Sequence, residues 1–381
     1  MLSVEQVFCA ACRDPMYKNW LLNRPYPTPG SVEWQCLPSL TGADLKRAAM
    51  AGSGDSIRGE TFYFSSGSTG HPKLVRIGSD DLRRVNTLCA RFSRMEGVGS
   101  ASRVMVLLPM GLWATGKITV EGHLEAGAQV FPVDLHGGVD AWQRLADEIR
   151  PTVISSTPSV LQAWAPHYRG PKLELVETTG EPLLNEARHT IEARFGGFVH
   201  DAYGLSECVV GVECAVRSGF HYWPDAVHVE ILEPKSDRPV APGADGEIVL
   251  TSFMQEAMPI IRYRSSDRGR ILQKPCPCGE DIPRVLFEGR LAETFFMPRG
   301  VQVMPDDIRE ELQGLGSCCR ISHESGRETG NTAAVLEIVL FEATPDQAAE
   351  ARDKLLSGFP DIAELCHENE LRLSIFSREL L

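Results

Sequence analysis

No apolar run in this chain reaches the roughly 20 residues that a bilayer crossing requires. A secretory leader is not expected from the first residues, which carry Glu5, Cys9 and Cys12 where a signal would need a basic start and an apolar stretch. Positive charge is short, with 38 Lys and Arg against 51 Asp and Glu; the net charge of −13 disfavours nucleic acid and anionic membranes as partners. Internal repeats and low-complexity tracts are absent, which excludes solenoid and fibrous architectures. Eleven cysteines, an odd number spread irregularly, do not form a disulfide framework; they suggest reduced thiols and a cytoplasmic setting. What remains is an ordinary globular composition, and 381 residues suffice for two or three domains with a large core.

What is present gathers around residues 61–73. Thr61, Phe62, Tyr63 and Phe64 make a β-branched and aromatic run that predicts a strand. Six residues drawn only from Ser, Thr and Gly follow: Ser65, Ser66, Gly67, Ser68, Thr69 and Gly70. The glycines permit positive φ and close approach of the backbone to a ligand. Hydroxyls and N–H groups between them form a nest of donors suited to phosphate oxygens. Lys73 adds a point charge at the exit. No Gly-Lys-Ser/Thr closes the loop onto a helix, so this is not the Walker arrangement. On residue types alone, a flexible surface loop is the alternative.

Downstream the chain alternates. Helices are expected over 80–95, with Ser79 as N-cap, over 117–126, and over 140–150 up to Pro151. Strands are expected over 104–108, 129–133, 152–155, 173–177 and 246–251. This alternation implies an α/β fold with a largely parallel sheet, its ligands bound beyond the carboxyl ends of the strands. Residues 1–60 say little. Near the end, helices over 306–312 and 345–356 with strands over 332–341 and 370–376 suggest a small α+β domain. The expected division is 1–289 for a large domain and 290–381 for a small one.

The loop and several later stretches together resemble the adenylate-forming superfamily of acyl-CoA synthetases, peptide-synthetase adenylation domains and luciferases, and most of all its phenylacetate-CoA-ligase branch. Ser65 to Lys73 are similar to its phosphate loop. Pro109-Met110-Gly111-Leu112-Trp113 stands where that branch begins its acyl-binding helix. Thr157-Pro158-Ser159 resembles its Thr-Pro-Ser segment, and Gly180-Glu181-Pro182 the loop that carries adenine. Asp201-Ala202-Tyr203-Gly204-Leu205-Ser206-Glu207 resembles Tyr-Gly-x-Thr-Glu, with Ser206 keeping the hydroxyl. Tyr263-Arg264-Ser265-Ser266-Asp267 resembles Tyr-Arg-x-Gly-Asp, with Ser266 in the glycine's place. Taken alone, the stretches at 109–113, 157–159 and 180–182 read equally as tight turns.

The resemblance implies roles. Tyr203 would stack on adenine, Ser206 contact the α-phosphate, and Glu207 hold magnesium, a hard cation suited to a carboxylate. Asp267 would accept from the ribose hydroxyls, with a salt-bridged surface Asp as the alternative. Gly289-Arg290 is similar to the family's hinge to its C-terminal domain, Arg290 meeting ribose or α-phosphate; Leu291-Ala292 replaces the usual charged hinge residue. Lys73, Glu207 and Arg290 are thus the expected catalytic residues, and Gly111, Trp113 and Lys117 the acyl pocket. Phe131 is a further apolar wall or a core residue. The family's late Gly-Lys has no counterpart: Lys354, the one lysine after Arg290, lies in a helical run.

Cys214, His221 and the late pair Cys276 and Cys278 offer three thiolates and an imidazole, a standard set for a closed tetrahedral zinc. Some phenylacetate-CoA-ligase relatives carry a structural metal at corresponding positions. Free thiols are the alternative, and Cys208 is a second choice for the fourth ligand.

The implied activity is ATP-dependent adenylation of an aromatic carboxylic acid, with an acyl-accepting or reducing partner open alongside CoA, and a homodimer left open. A complete aryl-CoA ligase is the second reading, and a nucleotide-binding protein without turnover the third. In size and in its end the chain is similar to adenylating proteins of phenazine antibiotic pathways.

Overall fold

The structure is a computed structural model. It describes residues 1–14, 17, 37–42, 44–45, 60–64, 74–111, 113–135, 137–291, 295–296, 302–303, 305–315, 318–324, 334–341, 343–368 and 371–378. Ser65, Ser66, Gly67, Ser68, Thr69, Gly70 and Lys73 lie outside the described residues, as does Leu112. The chain forms two compact units, Met1–Glu288 and Gly289–Leu381.

The first unit begins with α1 (Val4–Arg13), opened by a capping box in which Ser3 and Gln6 exchange hydrogen bonds. Strands β1 (Glu60–Phe64) and β2 (Leu74–Gly78) pair antiparallel, with Phe64 opposite Leu74 at the two ends that the Ser/Gly loop joins. Helix α2 (Ser79–Met95) starts one residue earlier than a Ser79 cap would allow. Its N-cap is Gly78, whose N–H donates to the Asp81 carboxylate at 3.0 Å, so an acid three residues in does the capping.

Then come β3 (Arg103–Leu107), α3 (Ala114–Glu125), β4 (Gln129–Val133), α4 (Gly138–Ile149) and β5 (Val153–Ser156). They continue into α5 (Pro158–Trp164), β6 (Leu175–Thr179), α6 (Asn185–Phe195) and β7 (Phe198–Gly204). After β7 the helices stop. β8 (Val209–Val212), β9 (Phe220–His221), β10 (Val227–Leu232), β11 (Gly246–Ser252), β12 (Tyr263–Leu272) and β13 (Arg284–Arg290) follow one another directly.

All eleven strands from β3 to β13 belong to one sheet, in the order β10-β11-β12-β13-β9-β8-β7-β6-β5-β3-β4. The β4-β3-β5-β6-β7 half is parallel. From β7 onward the assigned pairings are antiparallel. The sheet is therefore mixed, which corrects the expectation of a largely parallel one. Parallel neighbours need a helical crossover, whereas strands joined by short connections turn back on themselves. In the parallel half β5 is buried at every position. Beneath it Trp164 is fully buried, edge-on to Trp142, Tyr168 and Phe195 at 5.4–6.2 Å between ring centres. Among the described residues no helix is long and apolar enough to cross a membrane.

In the second unit β14 (Phe295–Phe296) pairs with β15 (Gln302–Val303). Beyond α7 (Pro305–Glu311), β16 (Cys318–Glu324) lies antiparallel to β17 (Ala334–Phe341). Helices α8 (Pro345–Gly358) and α9 (Pro360–His367) lead to β18 (Leu371–Arg378), which is parallel to β17. Ile308, Leu336, Ile338, Ala351, Leu355 and Ile362 are fully buried in its separate core.

Candidate functional site

Because β3, β5, β6 and β7 are parallel, their carboxyl ends emerge along one edge of the sheet, where such folds bind ligands. Thr157 follows β5 and caps α5, its hydroxyl accepting from Val160 N at 3.4 Å, with Pro158 in the first turn. Gly180 leaves β6 with a left-handed φ of 81°. These two loops are joined: the Glu181 carboxylate accepts from Ser159 N at 3.0 Å and from Ser159 Oγ at 2.8 Å.

β7 ends in Tyr203 and Gly204, and a tight turn of Leu205 and Cys208, bonded backbone to backbone in both directions, presents Ser206 and Glu207. The Tyr203 hydroxyl donates to Asp267 Oδ2 at 2.5 Å across 64 residues of sequence. The Tyr263 hydroxyl donates to Glu207 Oε1 at 2.9 Å. Both carboxylates are buried, Asp267 at 1% exposure and Glu207 at 2%. Phe220 and Phe287 flank the Tyr203 ring at 5.5 and 5.4 Å, which fixes its plane. Ser266, in the place where the family motif has glycine, takes a φ of 63°, the left-handed region that glycine occupies without strain. A strand irregularity opposite, between Glu247 and Val249, accommodates it.

The residues expected for the acyl pocket lie just before α3 and on it. Gly111 and Trp113 occupy the connection from β3 to α3, Trp113 being its N-cap and 39% exposed; Lys117 is exposed on α3. Phe131 takes the core alternative, packed against the Met105 and Trp142 cluster with the Arg103 guanidinium 5.0 Å over its ring. Arg290 ends β13 and falls in the second unit.

Cys214, His221, Cys276 and Cys278 come together, their four donor atoms lying within 4.8 Å of one another. Cys214 Sγ is 3.6 Å from Cys276 Sγ, and Cys278 Sγ is 3.5 Å from His221 Nε2. Tetrahedral zinc with Zn–S near 2.3 Å and Zn–N near 2.05 Å sets such edges at about 3.8 and 3.6 Å, so the donor set fits that ion. Burial, with the Arg284 charge, holds His221 below its usual pKa, which favours the neutral form through which imidazole binds metal. Cys208 lies apart, its thiol donating to the Val209 carbonyl at 3.5 Å.

Several participants carried no mark in the sequence. Arg284 donates to the carbonyls of Ser218 at 2.5 Å and Lys274 at 2.8 Å, clamping together the two segments that supply the Cys and His donors. Behind the edge runs a buried polar chain: His123 meets Ser93 Oγ and Glu177 Oε2, each at 2.9 Å, and Ser155 donates to the same Glu177 oxygen at 2.6 Å. It ties α3 to β5 and β6.

Asp201, two residues before Tyr203, is pushed up to about 7 by burial, which outweighs the 2.7 Å bond from Thr178 Oγ1. Its folded pKa lies above the ordinary value of 3.8, so its contribution to stability is full below 3.8 and is lost as pH rises through about 7. Between about pH 6 and about pH 8 this loss amounts to about 1.4 kcal/mol. Denaturant unfolding at both pH values should show that difference reduced by this amount in Asp201→Asn. An unchanged pH dependence in the variant would refute the assignment.

Comparison with known proteins shows the family. The AMP-binding enzyme family model matches residues 59–254. Phenylacetate-coenzyme A ligase of Pseudomonas putida is 30% identical over 309 residues, 78% of this chain and 69% of that one. The Thermus thermophilus ligase of the same name is 32% identical over 267 residues, 66% of this chain and 59% of its own length. In fold, 2-hydroxyisobutyryl-CoA ligase in its postadenylation state superposes with a TM-score of 0.78 at 21% identity, covering 98% of this chain and 84% of that one. The chain belongs to the AMP-binding enzyme family. It is an adenylate-forming, acid–CoA-ligase-like enzyme. None of these relatives supports the likeness to phenazine pathways.

Proposed function

We propose that this enzyme activates an aromatic carboxylic acid with ATP. A carboxylate oxygen attacks the α-phosphorus, the bond to the β-phosphate oxygen breaks, and acyl-adenylate and pyrophosphate result. The observation that carries this reading is the Tyr203–Asp267 hydrogen bond at the carboxyl edge of the sheet. It sets an aromatic ring and a buried carboxylate side by side, as an adenine and its ribose would require. Glu207 is oriented in the same manner by Tyr263 and would hold magnesium between itself and phosphate oxygens. Ser206 would meet the α-phosphate, Gly180, Glu181 and Pro182 the adenine edge, and Arg290 the ribose or α-phosphate. The Ser65–Gly70 donors and Lys73 would take the remaining phosphates. Gly111, Trp113 and Lys117 are assigned to the acyl pocket. Such chemistry depends on positioning and charge neutralisation more than on proton transfer.

The aromatic substrate is supported by the relatives named for phenylacetate. The acceptor is CoA, a carrier protein or a reductase. A structural zinc on the Cys214 group completes the cofactor set. Pyrophosphate release across a panel of aryl acids, with and without CoA, tests the reading. Acid-dependent release is expected; added CoA that is consumed as thioester identifies the full ligase. No release with any acid, despite ATP binding, would instead favour the nucleotide-binding protein without turnover.

A further inference from the structure

We infer that metal loading of the Cys214, His221, Cys276 and Cys278 group sets nucleotide affinity, with Phe220 as the positioning residue between them. The inference rests on the nucleotide reading of Tyr203 and Asp267. β9 consists of two residues, Phe220 and His221. Neighbouring side chains on a strand point to opposite faces. His221 accordingly joins the thiols through Nε2, while Phe220 packs on the Tyr203 ring at 5.5 Å. A second path runs through the backbone. Gly211 is the cross-strand partner of Tyr203, and a Cβ there would lie 2.4 Å from the His221 carbonyl oxygen. The strand carrying the imidazole thus presses against both the ring and the backbone partner of Tyr203.

A strand of two residues has few ladder bonds of its own: one register pair with β8 through Val212, and two with β13 through Arg284 and Val285. Its seat therefore depends on what holds its side chains. A tetrahedral ion bonded to His221 and to both flanking segments fixes that seat; without the ion, three thiols and an imidazole face one another with no common centre. Loosening β9 removes one wall from Tyr203 and with it the orientation of the hydroxyl that meets Asp267. Because coupling between two sites is reciprocal, nucleotide must tighten metal binding by the same factor that metal tightens nucleotide. Binding couplings of this kind commonly fall between about 5- and 150-fold, and we expect about tenfold here.

The test titrates AMP calorimetrically into the zinc-loaded and the chelator-stripped chain, and measures zinc affinity against a chromophoric chelator with and without AMP. Zinc loading should tighten AMP about tenfold, and AMP should tighten zinc by an equal factor. In Phe220→Leu, zinc stoichiometry should be retained and the loaded chain should bind AMP about tenfold more weakly, with little difference on stripping. Equal AMP affinity with and without zinc overturns the coupling and leaves the nucleotide reading intact. If the stripped chain loses its circular dichroism, the zinc-loaded Phe220→Leu chain decides, and unchanged AMP affinity in it overturns the proposal. No AMP binding in any form retires the nucleotide reading and the coupling together.

Discussion

Removing the metal from the Cys214, His221, Cys276 and Cys278 group is expected to lower the melting temperature by on the order of 5–10 °C. The donors come from two segments far apart in sequence, the 214–221 turn and the 276–278 turn, so an ion shared between them holds them together. An ion present at a thousand times its dissociation constant stabilises the folded state by about 4.1 kcal/mol. In a unit of this size each kcal/mol moves the midpoint by about 2 °C. Elemental analysis of protein purified without chelator should give one zinc per chain. Cys276→Ser should reproduce the loss in the presence of zinc, and Cys12→Ser, an exposed thiol on α1, should not. Zinc near zero in the purified chain, or a midpoint indifferent to chelation, would defeat the assignment.

The candidate residues with motif spacing could be picked out because they lie close together in sequence. Tyr203 with Ser206 and Glu207, or Tyr263 with Asp267, sit within a few residues of each other, and the bonds that join the two groups follow from the fold. Those joining bonds were not legible: Tyr203 to Asp267 spans 64 residues and Tyr263 to Glu207 spans 56. The same holds for Arg284, an ordinary strand arginine until its two carbonyl partners are seen. The parallel half of the sheet was readable from alternating strands and helices. The antiparallel half carried a signal that alternation masks, since no helix interrupts 198–290 and strands without crossovers must reverse. Helix α1 could have been read from its capping box, Ser3 with Gln6. Helix α6 could not: Leu184 offers no side-chain cap, so packing of Ala187, Ile191 and Phe195 decides it.

Replacing Asp267 with Ala should weaken nucleotide binding by about 1.5–3 kcal/mol, a roughly ten- to hundredfold rise in Kd. That is the range for hydrogen bonds to a charged group, and a buried carboxylate at 1% exposure loses them without water to substitute. The variant should also lose stability, because the Tyr203 hydroxyl gives up its 2.5 Å acceptor in an interior setting. Losing the charged acceptor of a buried hydroxyl costs about 1–3 kcal/mol. Asp267→Asn separates the two effects. Its amide oxygen can still accept from Tyr203, so most of the stability should return, while the lost negative charge keeps nucleotide binding weak. Tyr203→Phe completes the cycle: it removes the donor and spares the ring, so a smaller binding loss than in Asp267→Ala is expected. Calorimetry with ATP on the three variants, beside denaturant unfolding of each, reads both quantities. Unchanged ATP affinity in Asp267→Ala would remove this carboxylate from the site and with it the pairing on which the functional reading stands.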